Sequence, residues 1–338
     1  METFFEWYLR QRWARAFLKQ IGLSGVDYYL TTRGEESLTQ KRNNRFNQSS
    51  DDMLRLVSLI NKSIKIGSLL QVVYGPGTHE PIFRKDGSLP LTKKDRDRER
   101  SIIEKFPSGY SNDPCAAVVT KPNWSDTPLT VRYYDNKYSE IRTLRQRGRY
   151  VGIVSANVLL FSEELNAIVV HRRSDSSYDY ANTLHTFGGG FIPPGTSQRG
   201  DHSGIRHAAI REIFEESDAG IHVPDSTQRI VIDEIKTQFI QLAYLGVNVT
   251  EEQVDNMRGN WEGDPIRIRF AELENNLLNL DGWTPTGWVH VLLWLALDTP
   301  GATRSIKFGN LTGPDLANGI LRKCLAPKFV GSFRAPYP

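Results

Sequence analysis

A chain of 338 residues with 39% hydrophobic and 24% charged side chains is long enough for about two ordinary domains and lies in the globular range. That composition excludes disorder throughout, a collagenous repeat and a fibrous heptad protein, and the densest apolar stretch, Trp288 to Leu297, is half of what a bilayer span needs. The formal charge of +3 divides into +6 over residues 1–110 and −3 over the remainder, too weak an excess to point to nucleic acid.

Residues 3 to 21 read as an amphipathic helix, with Phe4, Phe5, Tyr8, Leu9, Trp13, Phe17 and Ile21 near a 3.6-residue period and Arg10, Arg12, Arg15 and Lys19 interspersed. Packing of that aromatic face on the protein itself is favoured over a membrane-surface helix. The opening residues lack the apolar core of a signal peptide. With two cysteines, Cys115 and Cys324, too few for a disulfide framework or a four-ligand zinc site, the expected setting is reducing and cytoplasmic. Residues 32–52 are polar and loop-like. A short helix is expected around Asp52–Lys65 and a solvated helix face at Lys93–Arg100, with strand-like pieces flanking Gly75 to Gly77. Arg142, Arg145, Arg147 and Arg149 form a basic run that reads as a solvated linker before the next strand.

From residue 150 the pattern sharpens. Val151–Phe161 and Ala167–Val170 are strand candidates separated by a turn. A polar loop with Tyr178 and Tyr180, candidates for stacking a planar group, leads to Gly188-Gly189-Gly190. A helix from about Gly204 to Ser217 follows, with Ser203 as its expected cap. Ile230–Ile232, Thr237–Val249 and Ile266–Phe270 read as strands, and Ala271–Leu280 and Thr286–Leu297 as helices. The result is an α/β fold with a mixed sheet. The Gly- and Pro-rich tail after Leu297 reads as extended structure wrapping the domain.

The chemistry lies in Arg211-Glu212-Ile213-Phe214-Glu215-Glu216. On a helix, Glu212 and Glu216 are offset by about 40° and Glu215 lies about 60° to the other side, so three carboxylates share roughly 100° of arc. Ile205, Ala209 and Ile213 form a separate apolar stripe that can anchor the helix. Like charges four residues apart destabilise a helix slightly. A hard divalent cation would turn that repulsion into coordination. Surface helices often carry glutamate clusters without function. The glycines immediately upstream, which permit close backbone approach, shift the weight toward a diphosphate–metal site.

This segment resembles the Nudix hydrolase family, whose box reads G-x5-E-x7-R-E-U-x-E-E-x-G-U, U being aliphatic. Gly190 matches the opening glycine, and Arg211, Glu212, Ile213, Glu215 and Glu216 match the helical centre residue by residue. Gly220-Ile221 matches the closing pair after two extra residues. The strands Val151–Phe161 and Ile168–Arg173, the Phe270–Leu273 junction and Trp283-Thr284-Pro285 extend the resemblance over about residues 145–300. The box, spanning about residues 189–221, is altered. Thr196 stands where its first glutamate is expected, and fourteen residues separate Thr196 from Arg211 where the box has seven, an insertion of seven. Asp201 is a candidate replacement carboxylate, with helix capping as its competing role.

The resemblance implies a Nudix-type α/β/α sandwich at 145–300, preceded by an N-terminal α+β region (1–112) and a connecting segment (113–144), and followed by a C-terminal extension (301–338). It implies a Mg²⁺- or Mn²⁺-dependent diphosphohydrolase acting on a nucleoside diphosphate linked to another moiety, of the ADP-ribose, dinucleotide or nucleotide-sugar type. Glu212 and Glu216 would be the principal metal ligands and catalytic carboxylates, with Glu215 auxiliary. Gly189, Gly190 and Arg211 would meet the substrate. The general base would come from a later loop: Glu252 is taken as catalytic, with Glu251 and Glu262 as the other candidates. His202 and His207 read as bystanders. The expected partner is a nucleotide-derived small molecule rather than a membrane or nucleic acid, and a homodimer is compatible. The competing reading is an inactive Nudix module that binds a nucleotide or a protein in a regulatory role; Thr196 and the insertion favour it, the three acids oppose it.

Overall fold

Among the described residues, the β-branched run after residue 150 becomes the central strand of a mixed, 11-stranded sheet. The computed structural model describes residues 53–67, 69–77, 82–104, 115–120, 130–177, 179–193, 204–297, 306 and 308–334. The expected helix at 3–21, the loop at 32–52, and Tyr178, Thr196, Asp201 and His202 lie outside them. In chain order the first elements are α1 (residues 53–62), α2 (Ile64–Gly67), β1 (Leu70–Gly77), β2 (Ile82–Lys85), α3 (Lys93–Ile103), β3 (Cys115–Val119), β4 (Thr130–Lys137) and α4 (Tyr138–Gln146). There follow β5 (Gly152–Ser162), β6 (Ala167–Arg173), β7 (Leu184–His185), β8 (Phe187–Gly190), α5 (Ile205–Ser217), β9 (Arg229–Glu234) and β10 (Phe239–Asn248). The chain continues through α6 (Glu251–Asp255), β11 (Gly263–Arg269), α7 (Leu273–Leu278), α8 (Pro285–Ala296) and α9 (Gly313–Leu325).

All residues of β5 are buried. One of its edges pairs in parallel with β10, and the other is shared by antiparallel β3, β8 and β6 in succession. Even-numbered side chains Val154, Ala156, Val158 and Leu160 join a core with Ile205, Ala209 and Ile213 of α5. Leu159 and Phe161 join a core on the opposite face with Trp288 and Leu292 of α8 and Leu316 and Ile320 of α9. Helices therefore cover both faces, giving the expected α/β/α layering. The sheet also crosses the divisions drawn at 112/113 and 144/145: β1 pairs with β9, and β3 links β4 to β5. Those segments share the sheet instead of standing apart.

Three local expectations are corrected. The segment after residue 301 is not extended throughout, because Gly313–Leu325 is helical. Thr312 accepts the Asp315 amide at 3.2 Å and Pro314 sits in the first turn, where a missing N–H costs nothing. The Gly-Pro pair is thus a helix start. Arg142 and Arg145 lie on α4 and Arg147 at its end rather than in a solvated linker, and only Arg149 of the run follows the helix, exposed. Arg145 on α4 donates to the carbonyls of Val151 and Gln238, and Arg147 pairs with buried Asp95 at 2.7 Å. Finally, α5 begins at Gly204, whose φ of 83° suits glycine, and Gly204, not Ser203, is its cap residue.

Candidate active site

The apolar stripe of α5 works as the sequence implies: Ile205, Ala209 and Ile213 are fully buried, and each isoleucine contributes about 2 kcal/mol by leaving water. Anchoring that stripe turns Glu212 and Glu216 toward the glycine strand. A Cβ on Gly189 would collide with the Glu212 carboxylate, and one on Gly188 (φ 155°) would collide with the Ala156 carbonyl oxygen. Only glycine lets β8 pass this close to both β5 and the glutamates. The Gly188 amide donates to Glu216 Oε2 at 2.9 Å.

Both carboxylates are removed from solvent, Glu212 at 8% and Glu216 at 3% exposure. Burial raises the Glu212 pKa to about 7, against the pull of Arg211 and with the help of Glu215 and Glu262. Burial, reinforced by Glu212 and Glu262, pushes Glu216 well above the ordinary carboxylate value. Arg211 spans the group, donating to Glu212 at 2.7 Å, Glu215 at 2.9 Å and the Gly190 carbonyl at 2.8 Å. His171 Nδ1 lies 3.4 Å from Glu216 Oε1, but burial and then the Arg173 charge lower its pKa to about 4, so the ring is neutral at neutral pH.

These groups line a cavity of about 890 Å³. Gly189, Gly190, Arg211, Glu212, Glu215 and Glu216 all reach it, so the structure gathers the site residues picked from the box. Glu252 does not join them. It is exposed in the first turn of α6, as is Glu251, and neither lines the cavity, because the Thr250 cap holds that turn on the outer surface. Glu262 does line it, from the loop before β11. Tyr180 reaches the cavity as well, but buried, with its hydroxyl committed to Glu234 at 2.6 Å, so its role is not stacking. Among residues the motif did not mark, Asn157, His171, His185, Glu234 and Gln241 are buried and line the cavity.

Among the described residues, no three His, Cys, Asp or Glu side chains form a ready-made metal cage. Glu212 and Glu216 nonetheless form an oxygen-only donor pair, buried together with the Arg211 guanidinium on Glu212, which fits a hard divalent ion. Glu215 is more exposed and held by Arg211.

Sheet, glycine strand and glutamate helix together form an α/β/α arrangement with a mixed sheet. No protein-family model and no curated protein matches the sequence. Similar solved structures include a MutT protein from Methanosarcina mazei Go1, with 16% identity over 41% of this chain and 88% of that one, at a TM-score of 0.31. A NUDIX hydrolase from Nitrosomonas europaea has 12% identity over 43% and 89%, at 0.31. A bifunctional NMN adenylyltransferase/ADP ribose pyrophosphatase from Francisella tularensis, complexed with AMP and a Mn ion, has 14% identity over 46% of each chain, at 0.33. No helix among the described residues is long and apolar enough to cross a membrane.

Proposed function

We propose that the protein is a Mg²⁺- or Mn²⁺-dependent diphosphohydrolase that cleaves a nucleoside diphosphate linked to another moiety. The observation that carries this reading is the buried pair Glu212 and Glu216. Two carboxylates one helical turn apart, removed from water and facing a cavity, are costly unless a cation is to join them. They would hold the ion, with Glu215 beside them. When bound, a divalent ion neutralises diphosphate oxygens and acidifies water. The chain's own residues do the rest. The glycine strand offers a side-chain-free surface on which a diphosphate can lie, and Arg211 fixes Glu212 while offering a guanidinium to the cavity. Glu262, which lines the same cavity, would take a proton from attacking water.

One observation favours the second reading, a binding module without turnover. Arg211 already occupies Glu212 and Glu215, as a substitute cation would. The two separate in one experiment: a panel of ADP-ribose, diadenosine polyphosphates and nucleotide sugars with Mg²⁺ or Mn²⁺, read by release of a nucleoside monophosphate. Metal-dependent release that stops on chelation supports the hydrolase. Tight nucleotide binding with no release over the whole panel supports the module.

A further inference from the structure

The Glu212–Glu216 site fills only one end of the cavity. Away from it, the floor is made by the odd-numbered side chains of β5 and the strands beyond. Ser155 and Asn157 of β5 lie beside Gln241 of β10, and Glu234 of β9 follows. Asn157 pairs across the ladder with Gly188, the residue whose amide holds Glu216. This polar row therefore begins one strand from the glycines and ends three strands away, about 14 Å at normal strand spacing.

Its inner members are held by one another. Asn157 Nδ2 lies 2.9 Å from His185 Nε2, and His185 Nδ1 lies 2.6 Å from Thr284 Oγ1. His185 is fully buried, and burial, followed by the Arg173 charge, keeps it neutral, so one ring nitrogen donates and the other accepts. With Nδ1–H donating to Thr284, Nε2 accepts from the Asn157 amide, and Asn157 Oδ1 is turned away from the chain. That oxygen is buried and has no hydrogen-bond partner, and Asp179 Oδ1, on the loop lining the same end, shares this condition. Gln241 reaches Thr286 at 3.1 Å and Glu234 at 3.5 Å. A buried acceptor left unmet is costly, so a wall with two of them is built for something that brings donors.

We propose that the wall from Asn157 to Glu234 is a subsite for a hydroxyl-rich group attached to the diphosphate, making the substrate a nucleoside diphosphate sugar rather than a nucleoside triphosphate. This rests on the proposed function, since the diphosphate must lie on the glycine strand. Hydroxyls both donate and accept, which suits a wall of amide, carboxyl and threonine groups. Burial pushes Glu234 to about 7, so this acid can also present a proton to a hydroxyl oxygen. A base fits this wall poorly, because its two aromatic rings are engaged: Tyr180 is buried against Glu234, and Phe239, opposite Glu234 on β10, lies 5.6 Å from the Arg145 guanidinium. Trp261, half-exposed at 50%, stands at the glutamate end of the cavity and offers the planar surface a base would use. The base then lies toward the rim and the sugar inward. Asn157 is the specificity-determining residue, and His185 positions it.

The test is equilibrium binding by calorimetry with Mg²⁺, using probes that cannot be hydrolysed: α,β-methylene ADP-ribose, α,β-methylene ADP, and the α,β-methylene analogue whose terminal ribose is replaced by a pentyl chain. The sugar-bearing probe should bind about tenfold or more tightly than either of the others, as expected for buried polar groups met or left unmet. In Asn157→Leu that preference should collapse to about twofold or less. Equal binding of the ribose and pentyl probes by the wild type overturns the subsite, whether or not Asn157→Leu folds. A folded Asn157→Leu with the full preference overturns the assignment to Asn157. Absence of binding by all three probes sinks the diphosphate reading itself, a different outcome from binding without discrimination.

Discussion

Asp95 and the Glu212–Glu216 pair are carboxylates at low exposure, and their environments drive them in opposite directions. Hydrogen bonds from the Thr92 hydroxyl and amide, and then the Arg147 guanidinium, hold Asp95 down at about 2. Burial, with the charges of Glu215 and Glu262, raises Glu212 to about 7, and burial with those of Glu212 and Glu262 pushes Glu216 well above the ordinary carboxylate value. The first is matched by its own chain and ties α3 to the end of α4. The second lacks sufficient matching and faces a cavity. Low exposure alone distinguishes nothing; what separates a structural acid from a site acid is whether the protein itself supplies the compensating donors.

The contrast can be broken most forcefully at Glu216. Glu216→Gln keeps an acceptor for the Gly188 amide but removes the buried charge. Turnover should fall about a thousandfold, while metal-free thermal unfolding occurs at the same or a higher temperature. A large loss of stability would place Glu216 with Asp95 as a structural acid. One turn's breadth away, Ile213→Ala should do the reverse. Removing a fully buried side chain from the α5 anchor costs about 3 kcal/mol in denaturant unfolding, with turnover per folded molecule largely kept.

Asp95→Asn sharpens the other half. The folded pKa lies below the ordinary value of 3.8, so the ionised form contributes stability above about pH 4, and that contribution is lost as the pH falls toward 2. The variant should therefore unfold more easily at neutral pH, and its stability should converge with that of the wild type between pH 4 and pH 2. A gap that stays constant through that window would show that ionisation of Asp95 is not what binds α3.

The glutamate helix was legible in the sequence because its information is local: acids and apolar anchors separated by three and four residues fix which faces they occupy. Asn157 and Gln241 were hidden inside runs read as apolar strands. Their signal was a polar residue at an inward position of an otherwise buried strand, Ser155 and Asn157 being two apart, and it gains meaning only once the cavity beside β5 is known. His185 was equally unreadable, since its partners Asn157 and Thr284 are 28 and 99 residues distant. Glu252 was chosen by its place after a strand, but whether a loop acid turns inward is decided by cap geometry that spacing alone does not determine.

The misread C-terminal segment gives the last and smallest test. Thr312 and Asp315 repeat the Thr-x-x-Asp arrangement of Thr92 and Asp95, with hydroxyl-to-carboxylate distances of 2.6 Å and 2.7 Å. In the first pair, however, Asp315 is exposed and its resolved carboxylate contact is to the threonine hydroxyl, whereas Asp95 is buried and also meets Arg147. Thr312→Ala thus removes a cap from the start of α9 without disturbing a buried ion pair, and should cost about 1 kcal/mol in denaturant unfolding. Thr92→Ala takes the hydroxyl donor from a buried carboxylate, leaving only the backbone amide of residue 92 beside Arg147, so it should cost more. Equal losses at the two sites would mean that the cap alone accounts for both, and that burying Asp95 beside Arg147 adds nothing to the attachment of α3.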